Sequence, residues 1–157
     1  MAINPWKTLS SEYVYQNPWI KVREDAVITP AGNRGTYGVV ESRDSVIVGS
    51  VNDKNEVYLI YSFSYTSQTW NWELPGGGTE GKDTLSSSKR ELAEETGLHA
   101  KKWIHIGTTR VCDGLMTEKM HTFIAKDIEF GDKPTADDSN AIIKGEFLSL
   151  EKIKIKI

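Results

Sequence analysis

The sequence predicts a mixed α and β chain built on a mixed sheet. Three observations lead there. Short runs of β-branched and apolar residues, separated by turn clusters, fill the first half. One helix with clear start and stop signals follows, between residues 84 and 97. Further strand-like runs come after it, so strands surround a single strong helix. A length of 157 residues suits one domain with a proper core.

Each element has a local reason. Trp19 to Asp25 alternates apolar and polar residues, the mark of a half-buried strand. Val27-Ile-Thr29 runs into the turn cluster Pro30-Ala-Gly-Asn33. Thr36–Glu41 and Ser45–Val51 are β-branched and apolar, Asn52–Asn55 is a hairpin loop by composition, and Val57–Phe63 is a buried-type strand. The aromatic stretch Trp70-Asn-Trp-Glu-Leu74 then meets Pro75 and three glycines. The helix starts at Thr84 as its N-cap, with Asp83 ahead of it at the positive end of the dipole. Leu85, Leu92 and Ala93 form its apolar stripe, and Gly97 stops it in the C′ role with Leu98 beyond. Strands are expected at 102–110, 120–127 and 146–148, and a short helix at 149–152.

Composition excludes several classes. A net charge of −3 argues against bulk nucleic-acid binding. An acidic protein that handles phosphates is expected to recruit a metal cation instead. The single cysteine, Cys112, forbids an internal disulfide and suits a reducing cytoplasm. The opening MAINPWKTLS has no long apolar run, so neither a signal peptide nor a membrane span is expected.

Two stretches carry chemistry. Gly76-Gly-Gly-Thr-Glu-Gly-Lys82-Asp83 is nearly a phosphate-binding P-loop, but Asp83 stands where a Ser or Thr would hold Mg²⁺. Downstream, Arg90-Glu-Leu-Ala-Glu-Glu-Thr-Gly-Leu98 places Glu91, Glu94 and Glu95 at helical spacings that share one side. Their mutual repulsion is relieved by a hard divalent cation, which prefers carboxylate oxygens. Arg90 reaches Glu94 at i+4 and orients it. A Glu-rich helix is equally often a solvated face. The glycine loop immediately ahead favours a site, because loop amides and the helix N-terminus suit a diphosphate.

Residues 76–98 resemble the signature of the Nudix hydrolases, G-x5-E-x7-R-E-U-x-E-E-x-G-U with U aliphatic. Gly76, Arg90, Glu91, Leu92, Glu94, Glu95, Gly97 and Leu98 all fall on it. The one departure is Lys82 at the first Glu position. The resemblance implies a Nudix-type α/β/α sandwich with a mixed β-sheet. It implies Mg²⁺ or Mn²⁺ on Glu91, Glu94 and Glu95, with Arg90 and Glu94 in catalysis and Gly76, Gly77 and Gly78 against the substrate. Lys82 then contacts a substrate phosphate, partly replaces a cation, points to solvent or marks a weakened enzyme, and Glu80 or Asp83 is the candidate for the missing oxygen.

Looser motifs resemble the ADP-ribose pyrophosphatase branch: Asn17-Pro-Trp-Ile-Lys-Val-Arg23, Pro30-Ala-Gly32, Tyr37-Gly-Val-Val40, Trp72-Glu-Leu-Pro-Gly76 and Glu146-Phe-Leu-Ser-Leu150. That branch implies hydrolysis of a nucleoside diphosphate linked to a sugar, giving nucleoside monophosphate and sugar phosphate. It implies one Nudix domain over 1–157, with strands of about 1–42 contributing to a homodimer and 43–157 as the core. Candidate proton acceptors are Glu118, Asp137, Asp138 or a Glu of the helix. Trp72, with Trp70, stacks a base or lines a dimer seam. Ser64 stands where the branch often has Arg. Two rivals remain open: a triphosphate pyrophosphohydrolase, and a non-catalytic nucleotide-binding module motivated by Lys82 and Ser64.

Overall fold

The computed structural model describes residues 3–132, 134 and 141–156. The chain divides into two compact units, Met1–Arg43 with Arg110–Lys119 and Asp44–Thr109 with Met120–Ile157. In the first, β1 (Lys7–Gln16), β2 (Ile20–Ile28) and β3 (Arg34–Ser42) form an antiparallel sheet in that order. Asn17 turns the chain from β1 to β2: its side-chain oxygen accepts the N–H groups of Trp19 and Ile20, both at 2.8 Å. The turn after β2 closes with Gly32 at φ 85°, a conformation that favours glycine.

The two strand runs expected at 19–25 and 27–29 are one strand, because the ladder to β3 is continuous from Ile20↔Ser42 to Ile28↔Arg34. β1 was not expected. Every residue in it is exposed, so it carries no buried-face periodicity, and its ladder to β2 alone defines it.

The second unit holds β4 (Ser45–Ser50), β5 (Val57–Ser64), β6 (Thr69–Glu73), β7 (Gly76–Gly78), α1 (Thr84–Thr96), most of β8 (Leu98–Arg110) and β9 (Lys119–Phe130), then β10 (Ile142–Leu148) and α2 (Leu150–Lys156). One sheet has the order β7-β4-β9-β8 and the other β10-β5-β6. β4 runs parallel to β9 and antiparallel to β7, so the sheet is mixed, as expected. Val48 of β4, Leu92 of α1, Leu98 of β8 and Ala125 of β9 form the fully buried centre, with Tyr58, Trp103 and Phe147 packed around it. Burying a side chain such as Leu92 contributes about 1.5–3 kcal/mol.

Two details of α1 differ from expectation. The N-cap is Asp83, one residue early: its carboxylate accepts the Ser86 N–H at 2.9 Å. The buried side is also more polar than a Leu85–Leu92–Ala93 stripe. Only Leu92 of those three is fully buried, while Ser87, Ser88 and Thr96 lie inside. Their hydroxyls donate to the carbonyls of Asp83, Thr84 and Leu92, each four residues back, which removes the cost of burying them. Gly97 ends the helix in the left-handed region at φ 67°, and its N–H reaches the Ala93 carbonyl.

Candidate active site

The site is assembled where β7 lies against α1. Strand β7 is three glycines paired to β4, with Ile47↔Gly76, Val46↔Gly77 and Ser45↔Gly78. The glycines are required by close approach. A methyl group on Gly76 would collide with the Val46 carbonyl, and one on Gly77 would enter the Glu91 carboxylate. The bare backbone therefore lies directly on the acidic side of the helix.

Arg90 and the backbone of β7 fix the carboxylates. Arg90 donates to Glu94 Oε2 at 2.7 Å, to Glu91 Oε1 at 2.6 Å and to the Gly78 carbonyl at 3.0 Å. The Gly76 N–H donates to Glu95 Oε2 at 2.9 Å. Glu91 and Glu95 are both buried, whereas the side chain of Glu94 is 42% exposed. Burial pushes the Glu95 carboxyl up to about 7; the Gly76 N–H opposes this, and Glu91, Glu73 and Glu94 add to it. Burial also raises Glu91, with Arg90 pulling in the other direction. Four carboxylates thus share a patch with one guanidinium.

This donor set fits a hard divalent cation: oxygen ligands in excess of local positive charge, two of them held up by burial. Among the described residues the oxygens are not gathered into a group of three around one point. Arg90 spans Glu91 and Glu94, and Glu95 is turned to Gly76.

The other expected site residues fall in different places. Lys82 pairs with Glu80 at 3.1 Å, and both are exposed. Asp83 is engaged as the helix cap, where the Ser86 N–H holds its carboxyl below the usual range. Trp72 does not join the carboxylates. Its neighbour Glu73 does, lining a groove of about 210 Å³ with Val46, Ile47, Ile60, Gly76, Glu95 and Met120. Glu118 belongs to the first unit, where its carbonyl accepts the Val111 N–H. Asp137 and Asp138 lie outside the described residues. Glu73 was not singled out from the sequence, although strand alternation puts it opposite Trp72 and so on the other face.

Comparison with known proteins agrees with this geometry. A sequence profile described as the NUDIX domain matches residues 41–157. One described as the nucleoside diphosphate sugar hydrolase N-terminal domain matches residues 6–40. The chain is 26% identical to an ADP-ribose pyrophosphatase of Mycobacterium tuberculosis, over 95% of this chain and 80% of that protein. It is 25% identical to an ADP-ribose pyrophosphatase of Bacillus subtilis, over 92% and 79%. The fold matches a crystal structure of an ADP compounds hydrolase with a TM-score of 0.84, at 16% identity over 98% of this chain and 83% of that one. No helix among the described residues is long and apolar enough to cross a membrane. The glycine strand, the Arg90-ordered carboxylates and the profile over 41–157 converge: the chain belongs to the Nudix family and is a Nudix hydrolase.

Proposed function

We propose that the chain hydrolyses a nucleoside diphosphate linked to a second group, with ADP-ribose or a related nucleotide sugar as substrate and Mg²⁺ or Mn²⁺ as cofactor. The observation that carries this is a set of three carboxylates beside a glycine strand, Glu91 and Glu94 ordered by Arg90 and Glu95 by the Gly76 N–H. The N-terminal profile and the two pyrophosphatase relatives support the substrate class. In the reaction water adds to one phosphorus, and the bond from that phosphorus to the bridging oxygen breaks. Nucleoside monophosphate and sugar phosphate leave, and the proton of the water passes to a carboxylate.

A bound divalent cation would offset the charge developing on the phosphate oxygens. Glu91, Glu94 and Glu95 would hold it. Arg90 positions Glu91 and Glu94 by its two hydrogen bonds, and the glycine backbone leaves room for the diphosphate. Glu94, the most open of the three, is assigned as proton acceptor. Lys82 is assigned to a substrate phosphate, reached by releasing Glu80.

The deciding experiment incubates the protein with Mg²⁺ and a panel of ADP-ribose, nucleotide sugars and nucleoside triphosphates. Release of monophosphate from the diphosphates supports the reading. Pyrophosphate release from triphosphates would select the triphosphate rival, and binding without release would select a non-catalytic module. We also infer a cytoplasmic homodimer. Tyr13, Val14 and Tyr15 are exposed on the N-terminal sheet and Trp19 in the turn between β1 and β2, and a monomer by analytical ultracentrifugation would refute that part.

A further inference from the structure

Strands β5 and β6 present two unlike faces. On one, Ser62 donates to Glu73, and Glu73 shares its groove with Glu95. On the other stand Tyr61, Phe63, Trp70 and Trp72, with Lys144 of β10 opposite Tyr61 in the ladder. Trp70 lies 5.5 Å from Tyr61 with planes 25° apart, and Trp72 lies 5.1 Å from the same ring. Phe63 supports Trp70 from the side. The Lys144 ammonium is 4.8 Å from the centre of Trp72 and 5.4 Å from Tyr61. The Lys156 ammonium, from α2, is 4.2 Å from Trp72. Tyr61, Trp70, Asn71, Trp72 and Lys156 line a cavity of about 320 Å³.

Cross-strand aromatics alone would be explained as packing of the β5–β6 hairpin. The ammonium pair is not explained that way. Two like charges within about 5 Å of one indole repel each other. Lys156 has Glu146 at 3.5 Å, while Lys144 makes no ion pair among the described residues. An anion between them removes the repulsion. Trp70 is 42% exposed, and among the described residues no ammonium lies over it, so the part of its ring not covered by Tyr61 and Phe63 is open to a planar partner. An aromatic group joined to an anion matches both halves, and the cavity is at the lower end of the usual range for small-ligand sites.

We propose that this face is a second ligand site that takes a nucleoside monophosphate. The base stacks on Trp70, and the phosphate lies between Lys144 and Lys156. Stacking uses the face of a base rather than its edges, so the site accepts different bases. Because Glu73 and Trp72 are adjacent on β6 and point to opposite faces, the site is separate from the carboxylates of α1. It does not depend on which substrate the enzyme cleaves.

The test is calorimetric titration of the whole chain with AMP, adenosine and inorganic phosphate, with divalent ions chelated. AMP is expected to bind at one site, at least about tenfold more tightly than either fragment. Trp70→Ala and Lys144→Glu should each weaken AMP at least about fivefold. Glu95→Gln should leave AMP binding unchanged, and Lys144→Glu should leave AMP-free hydrolysis unchanged. Lys144 is exposed, so that variant decides the matter if Trp70→Ala does not fold. The proposal falls if AMP does not bind, if phosphate alone binds equally well, or if Lys144→Glu has no effect. It also falls if Glu95→Gln abolishes the binding. Loss of dimer in Lys144→Glu without any AMP binding would instead make this face a contact between two copies of the chain.

Discussion

Glu95→Gln should make the metal-free protein more stable while removing its activity. The carboxyl of Glu95 is pushed from 4.5 to about 7 in the folded chain. Because the folded value is the higher one, the folded state binds the extra proton, and stability falls as pH rises from about 4.5 through 7. Above pH 8 the full cost of the buried charge is present, at most about 3 kcal/mol for a rise of that size. Glutamine keeps an oxygen that can accept the Gly76 N–H, and it carries no charge. The variant should therefore unfold at higher temperature than the wild type at pH 8 in chelator, and the two should converge below about pH 4.5. Differential scanning calorimetry across that range measures it. Saturating Mg²⁺ should reverse the order, since on the proposed reading Glu95 is one of the metal's ligands and only the wild type keeps it. Turnover of the variant should fall by about a hundredfold or more. A variant no more stable than wild type at pH 8 would refute the electrostatic reading, and near-normal turnover would refute the metal assignment.

Other substitutions probe the remaining contacts. Arg90→Ala frees Glu91, Glu94 and the Gly78 carbonyl at once, so kcat should fall by at least about a hundredfold with loss of about 1–3 kcal/mol of stability in urea titrations. Gly77→Ala drives a methyl group into Glu91; the expected result is a folded protein by circular dichroism whose activity needs far more Mg²⁺. Lys82→Glu breaks an exposed pair, so Tm should hardly move and the assay reads function alone: a gain in Mg²⁺-dependent rate means the loop regains a ligand, whereas loss supports the phosphate role. Asp83→Ala removes the helix cap and should lower Tm. Since the folded carboxyl sits below its ordinary value, that stabilisation is present above the ordinary value and fades as pH falls, so the deficit should shrink in acid.

What the sequence made legible follows from where residues meet solvent. Half-buried strands such as the one holding Val22 and Asp25 announce themselves by alternation, and the helix by its cap, its glycine stop and its carboxylate spacing. The fully exposed β1 has no such signal. The proximity of the candidate carboxylates on α1 was readable because helical spacing fixes which side chains share a side. Glu73 was harder, since its contribution arises only when the end of β6 is brought to the groove that Glu95 also lines, and the bulk of Trp72 drew attention to the other face. Lys82 was ambiguous by type, because an exposed lysine can bond to whichever carboxylate is near. The structure pairs it with Glu80, two residues away.

The glycine strand and the helix are stitched together at three successive levels. The Gly76 N–H reaches Glu95, the Gly78 carbonyl accepts from Arg90, and the Thr79 carbonyl accepts from Ser87. The chain of 76–79 therefore runs antiparallel to the helix, one bond to each register. A helix seated only on leucines can roll or slide at small cost. This one cannot shift along its axis without breaking directional bonds. Glycine is used here for thinness rather than for freedom of movement, and the segment behaves as a rib of the helix, not as a flap. Hydrogen exchange at the Gly76 amide should accordingly track the unfolding of α1, and a loop that exchanged long before the helix would show the stitching to be loose.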